Sequence, residues 1–528
     1  MSRAHRALAA FSVLALTLAA CSSSPDSGGT EGGTVVAYLA EPDFLDPALA
    51  STVTANEVVN RIFDPLINYD PETAEPVLTG AAESYTVADD GKSITFQLRE
   101  GATFHNGEPV NAEAFVRALT RVASKDTASE IAYHLDGLKG FAALQDGSAT
   151  DFPGVHQGEN EYELVFEFDE PQPEFYIRTG HTVFSPIPAA ALDDTSGFNE
   201  APIGNGPYKI EGKWEHNQGI KVVRFDEYNG EEKGNLDGIE WKIFTEIQGG
   251  YLEFQGGTVD TTSVPPENWP EAAETYGDAF IDQETTGMDY LFFTVTVPPL
   301  DNPTLRQAIS LAMDRGKIND AVFNGQRSPS DGFIPKANAG YREGACEFCT
   351  YDPDRAKQLF EESGVPAGTT ITLTFNGGAG HDDWVQAAAT QIQETLGLKT
   401  VVKAGSENFG DYLKSVRSAA GMFRLGWGQD YPTPDNWLAP FFLSTSGDNY
   451  AGYENPEFDQ LIIAARTTTD EDERAQNYAD AQDILVQDMP AAPMFFRKSA
   501  VVFDADKFAN FTVDIQLGSP AWEEVSLA

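Results

Sequence analysis

The residues best suited to chemistry stand in one short run, FRLGWGQDYPTPDNW, where Gly426 and Gly428 flank Trp427 and Asp430 follows. Paired glycines let another backbone approach closely, and an indole offers a flat apolar wall. A carboxylate beside that wall suits an ammonium group, since a charge-assisted hydrogen bond gains strength where the local dielectric is low. The same run also reads as a plain turn built from Asp, Pro and Asn. Both readings are open on residue types alone.

Other chemistry is sparse. The chain has no GxSxG elbow, HExxH, GxxxxGK[ST] or strand-linked GxGxxG, and its seven histidines fall singly. Carboxylates are too numerous for an acid and base pair to stand out. GHDDW, around His381, is explained more economically as a polar helix start than as a metal site. Neither a metal nor a cofactor is expected.

Of the three cysteines, Cys21 ends Leu18-Ala19-Ala20-Cys21, a lipobox pattern that follows Arg3, Arg6 and an apolar run too short to span a bilayer. The expectation is a signal peptide over 1–20, a diacylated Cys21 and a flexible Ser/Gly tether over 21–33. Cys346 and Cys349, in CEFC, are expected to close a small disulfide outside the cell. A redox centre or zinc site would need surroundings that are absent.

The full chain carries 34 basic and 82 acidic residues, a net charge of −48. Residues 1–20 hold two arginines and no acids, so the remainder has 32 against 82 and a charge of −50. Such a surface excludes nucleic acid as a partner and favours solubility.

The elements that must carry the site change character along the chain. SITFQL and YELVFEF alternate apolar and polar residues, as half-buried strands do. Leu305, Ala308, Ile309, Ala312 and Met313 then mark one helical face, with Asn302 and Pro303 suited to its start. DPDRAKQLFEESG repeats that logic, and ITLTF, a helix around Trp384 to Leu396, and KTVVK read as strand, helix, strand. The fold class is α/β.

Taken in order, EPDFLDPAL, ITFQLREGATFHNGEPVNAEAFVRAL, APIGNGPYKI, LRQAISLAMDR and YDPDRAKQLFEESG resemble the extracellular solute-binding proteins of the oligopeptide and dipeptide type, which feed ABC importers. The resemblance covers nearly the whole chain after the tether. It implies a two-lobed, type II periplasmic-binding-protein-like clamp with an additional domain inserted in lobe one. Lobe one would comprise 34–70, 200–290 and 496–528, the insertion 71–199, and lobe two 291–495. Ligand would lie between the lobes, with Asp430 gripping a peptide's α-amino group. Backbone at Leu425, Gly426, Trp427 and Gly428, with Val53, Thr54 and Ala55 from lobe one, would pair with the peptide main chain.

For the peptide's carboxylate the resemblance offers Arg424 and His381. Arg424 could instead pair with a neighbouring acid, and His381 could cap a helix. The implied protein is a monomeric receptor, not an enzyme, anchored by lipid at the outer face of the cell membrane. Its partners would be a peptide and an ABC permease with its ATPase. Another cargo (an oligosaccharide, a nickel complex or haem) or a peptide-signal sensor would use the same fold, and a secreted hydrolase has less support.

Overall fold

The computed structural model describes residues 32–528, so Cys21, the signal-peptide reading and most of the tether lie outside the described residues. One sheet of eleven strands runs through both lobes. Its lobe-two end holds Lys399–Ala404, Thr370–Phe375 and Met422–Trp427, and its lobe-one end holds Thr261–Ser263, Thr34–Leu39, Gly238–Ile243, Gly219–Arg224 and Tyr208–Ile210. Between them lie two long antiparallel strands, Phe280–Phe293 and Ala491–Phe503. Arg327–Pro329 pairs alongside the second.

These long strands join the lobes. Their pairing breaks between Glu284 and Met288, where one half of each strand has left lobe one and the other has entered lobe two. The expected boundaries at 290/291 and 495/496 fall inside these continuous strands. Beyond Phe503 the chain returns to lobe one, where the Trp522 and Trp241 indoles meet edge-on and both donate to Glu57, at 3.3 and 3.1 Å. Glu57 lies on the helix Val53–Ile62, whose end faces lobe two across the cleft.

Local signals act as their chemistry requires. Asn302 accepts the amide hydrogens of Thr304 and Leu305, Pro303 opens the helix Pro303–Leu311, and all five residues of the expected apolar face are buried. Asp352 caps Pro353–Ser363, which Gly364 ends in the left-handed conformation at φ +68°. Ser93–Leu98 and Glu163–Glu167 join Ala82–Val87 and Val155–Gln157 in a separate four-stranded antiparallel sheet within the 71–199 segment. Ile94, Phe96 and Leu98 bury the face that packs with the helix Ala112–Ala123. Cys346 and Cys349 form a disulfide.

The GNGPY turn fastens the return from this segment into lobe one. Asn205 accepts from the Asp64 amide and donates to the Asp64 carbonyl, both at 3.0 Å. A Cβ on Gly204 would lie 1.9 Å from the Ile62 carbonyl oxygen. Gly204→Ala must therefore push two backbones apart, and we expect it to destabilise the protein by about 1–3 kcal/mol. A urea unfolding midpoint lowered at unchanged m-value checks this; an unmoved midpoint contradicts it.

Candidate functional site

A cleft of about 560 Å³ lies between the lobes. The inserted segment contributes Tyr133 and His181, the helix Val53–Ile62 contributes Val53 and Asn56, and lobe two contributes Leu425 through Asp430. A larger hollow of about 1040 Å³ lies beside the helix Ala112–Ala123. It is formed within the inserted segment alone, so no movement between lobes encloses it.

Lobe two presents an unfinished strand edge to the cleft. Met422–Trp427 pairs with Met288–Phe293 along one side for its full length. On the other side Thr370–Phe375 reaches only Met422 and Phe423, so among the described residues Leu425 to Trp427 have no strand partner there and keep a free edge. The Arg424 carbonyl is already taken by the Tyr412 hydroxyl at 2.8 Å. An extended main chain laid along that edge would complete the ladder.

Asp430 stands at the end of this edge, half-buried. Its carboxylate accepts from the Tyr133 hydroxyl at 2.9 Å and the Asn436 amide at 3.1 Å, and its backbone N–H donates to Asn436 Oδ1 at 3.0 Å. All these donors are neutral, and among the described residues Asp430 has no ion-pair partner. Burial pushes its carboxyl up to about 6, against the lowering effect of the two side-chain hydrogen bonds. Trp427 packs edge-on against Phe441 and donates its indole N–H to Asn436 at 3.3 Å. Asn436 thus orients both the apolar wall and the carboxylate beside it.

Gly426 is required for a different reason from the one its spacing suggests. A Cβ there would lie 2.0 Å from Arg497 Nη2 and 2.7 Å from Asp289 Oδ1, so an ion-pair cluster occupies the side-chain position. Gly428 meets nothing within 4 Å.

Arg424 belongs to that cluster. It donates to Asp289 at 2.5 Å and to Asn376 at 3.3 Å, while Arg497 donates to the same Asp289 oxygen at 2.8 Å. Burial opposes ionisation of Asp289, but the two guanidinium groups outweigh it and hold the carboxyl well below the usual carboxylate range. His381 precedes the helix Asp382–Leu396 without a side-chain capping bond and accepts instead from the Trp384 indole at 3.2 Å. Burial, then Arg424, pushes its imidazole down to about 3.

On the lobe-one side, Val53 is exposed to the cleft, and Thr54 faces an adjoining recess of about 220 Å³. The expectation of strand-like pairing at Val53 to Ala55 is corrected. Thr52 caps a helix there and takes the Ala55 amide at 3.2 Å, and Ala55 is wholly buried. Tyr133, His181 and Asn436 were not foreseen. Tyr133 and His181 lie hundreds of residues from Asp430 in sequence, and no spacing links them to it.

Further bonds cross between the lobes. Arg178 donates to Asp435 at 3.3 Å and covers the Tyr431 ring at 4.9 Å, and Glu174 meets Arg474 at 3.4 Å.

Related proteins place this geometry in a family. The oligopeptide-binding protein OppA of Bacillus subtilis (strain 168) is 28% identical over 484 residues, 88% of this chain and 87% of that protein. The glutathione-binding protein GsiB of Salmonella typhi is 27% identical over 480 residues, 88% and 89% of the two chains. Among solved structures, the unliganded open form of the periplasmic murein tripeptide binding protein MppA superposes with a TM-score of 0.81 at 23% identity, over 95% of this chain and 99% of that one. Haemophilus influenzae OppA in complex with RPPGFSPFR gives 0.75 at 24% identity, over 94% and 99%. Both share the two-lobed fold. Residues 77–449 match the model of the bacterial extracellular solute-binding proteins, family 5, and the chain belongs to that family.

Proposed function

We propose that this chain is the lipid-anchored receptor of an ABC importer, capturing oligopeptides between its lobes as a monomer at the outer face of the membrane. The observation that carries the reading is Asp430, a half-buried carboxylate held only by neutral donors at the end of a free strand edge. A peptide supplies what this arrangement lacks: a main chain for the edge and an ammonium for the acid. The oligopeptide-binding relatives support the same cargo. Capture alone explains the site, and no bond-breaking step is assigned to it.

The peptide's carboxylate is drawn toward Arg424 and Arg497. Two guanidinium groups share the single Asp289 carboxylate, which leaves a positive surplus behind Gly426. The Arg424 guanidinium is thus both an ion-pair partner and part of an attractive field.

In a filled cleft the ammonium loses water, and only a paired carboxylate offsets that cost. Asp430→Ala should weaken binding of a short peptide by about 2–5 kcal/mol. N-acetylated peptides should bind the unaltered protein poorly, having no charge to give. Calorimetry with a free peptide, its acetylated form and a cello-oligosaccharide tests this. Equal peptide affinity in both proteins would remove Asp430 from the site, and binding of the sugar alone would overturn the peptide reading.

Protonation should act like truncation. With its carboxyl pushed up to about 6, Asp430 loses charge as the pH falls through that value, and peptide affinity should fall with it, levelling off above pH 7. Asp430→Asn should abolish the dependence. The same shift has the opposite sign for the empty protein. The unfolded carboxyl ionises near 3.8, so folded stability declines as pH rises from 3.8 to about 6, and Asp430→Asn should remove that decline. A thermal-melt series across this range reads it directly.

The anchor rests on Cys21. Cys21→Ser should release the protein from the membrane fraction or leave it as precursor, whereas lipid labelling equal to that of the unaltered protein would refute the anchor.

A further inference from the structure

Three side chains that no sequence spacing connects meet where the inserted segment faces lobe two. His134 belongs to the short turn Ala132–Leu135, and His181 immediately precedes another, Thr182–Phe184. Only 1% of His134 and 9% of His181 is exposed. Their rings stack at 4.1 Å between centroids, and the Tyr133 ring stacks against His134 at 4.3 Å. One nitrogen from each imidazole and a carboxylate oxygen of Asp430 lie within 4.8 Å of one another.

Neither ring nitrogen of His134 has a hydrogen-bond partner among the described residues. A neutral imidazole carries one donor and one acceptor, and leaving both buried and unmade is costly. From this geometry we propose that His134, His181 and Asp430 form a binding site for a divalent transition-metal ion of the zinc, nickel, cobalt or copper class, bridging the two lobes.

The chemistry of the three groups selects that class. Two imidazoles and one carboxylate form a borderline nitrogen and oxygen set, whereas calcium and magnesium favour oxygen ligands throughout. Asp430 Oδ2 accepts from Tyr133 and Asn436, and the carboxylate retains further lone pairs for an ion.

Ligand atoms about 2.1 Å from a tetrahedral ion lie about 3.4 Å apart, and each imidazole binds along the lone pair in its own ring plane. Approach of the lobes brings Asp430 toward the two imidazoles, and the His134 and His181 rings, stacked within 25° of parallel, must turn out of that stack to aim at one ion. One existing bond is exchanged. The Val183 N–H donates to His181 Nδ1 at 3.2 Å, and ligation through Nε2 moves the ring proton to Nδ1 and releases this long contact.

The site does not depend on the peptide reading, although both use Asp430. The test is calorimetric titration of the untagged, chelator-treated protein with zinc, nickel, cobalt and copper ions alone. An excess of magnesium is present, because a chain with 82 acidic residues collects cations nonspecifically. The expected result is one ion per protein, with affinity lowered at least about tenfold in each of His134→Phe, His181→Gln and Asp430→Asn, as for loss of a ligand. His134→Phe keeps the ring stack.

Absence of saturable binding by all four ions, or unchanged affinity in folded His134→Phe and His181→Gln, overturns the proposal. Should a variant fail to fold, X-ray absorption of the zinc-loaded unaltered protein decides: two imidazole ligands uphold the site, and an oxygen-only shell refutes it. Peptide titrations in chelator run separately, so failure there bears on peptide capture and leaves the ion result standing.

Discussion

Asp289 is the buried charge around which the cleft is arranged. It lies on Phe280–Phe293, between Arg424 on one neighbouring strand and Arg497 on the other, so one carboxylate ties three adjacent strands near the place where the chain passes between lobes. Taking such a charge out of water is expensive, and the two guanidinium groups offset that cost only while both stay in register. The tie therefore fixes more than stability. It excludes a side chain at residue 426, inside the stretch of Met422–Trp427 that has no strand partner on the cleft side among the described residues.

The lobes meet through polar contacts around this fixed floor. Arg178, Glu174 and Tyr133 of the inserted segment reach Asp435, Arg474 and Asp430 of lobe two. The Arg178–Asp435 and Glu174–Arg474 pairs are largely buried, so the cost of desolvation offsets much of their attraction. A few weak bonds suit a clamp that must open again, because they favour approach of the lobes without making it permanent. The larger interaction is left to whatever enters the cleft.

How much of this could be read from the chain depends on the range of the signal. Asn302, Asp352 and Gly364 act within a single helical turn, so their effect is visible in a few letters. The alternation in SITFQL records a face buried against one nearby helix. Trp427 and Asp430 stand out as candidates because wall and acid share one short run. Asn436, in the same run, reads as a turn former, and only its three bonds show it holding Trp427 and Asp430 in place. His134 and His181 reach Asp430 across a lobe boundary, and no local pattern can encode that meeting. The helix at Val53 was misread because family likeness suggested a strand, although Thr52 stands there as an ordinary N-cap.

In a chain with 82 acidic residues, two acids five residues apart show how differently the fold can treat a carboxylate. Asp435 is buried and faces Arg466 at 2.6 Å and Arg178 at 3.3 Å. Burial resists its ionisation, but the guanidinium groups prevail and its carboxyl is lowered. Asp430 is less buried yet is raised to about 6, since only a phenol and an amide reach it. Depth of burial does not separate the two. What separates them is whether the protein has already supplied the opposite charge: Asp435 is paired with two guanidinium groups within the fold, and Asp430 is oriented and partly desolvated by neutral donors, with no ion-pair partner among the described residues.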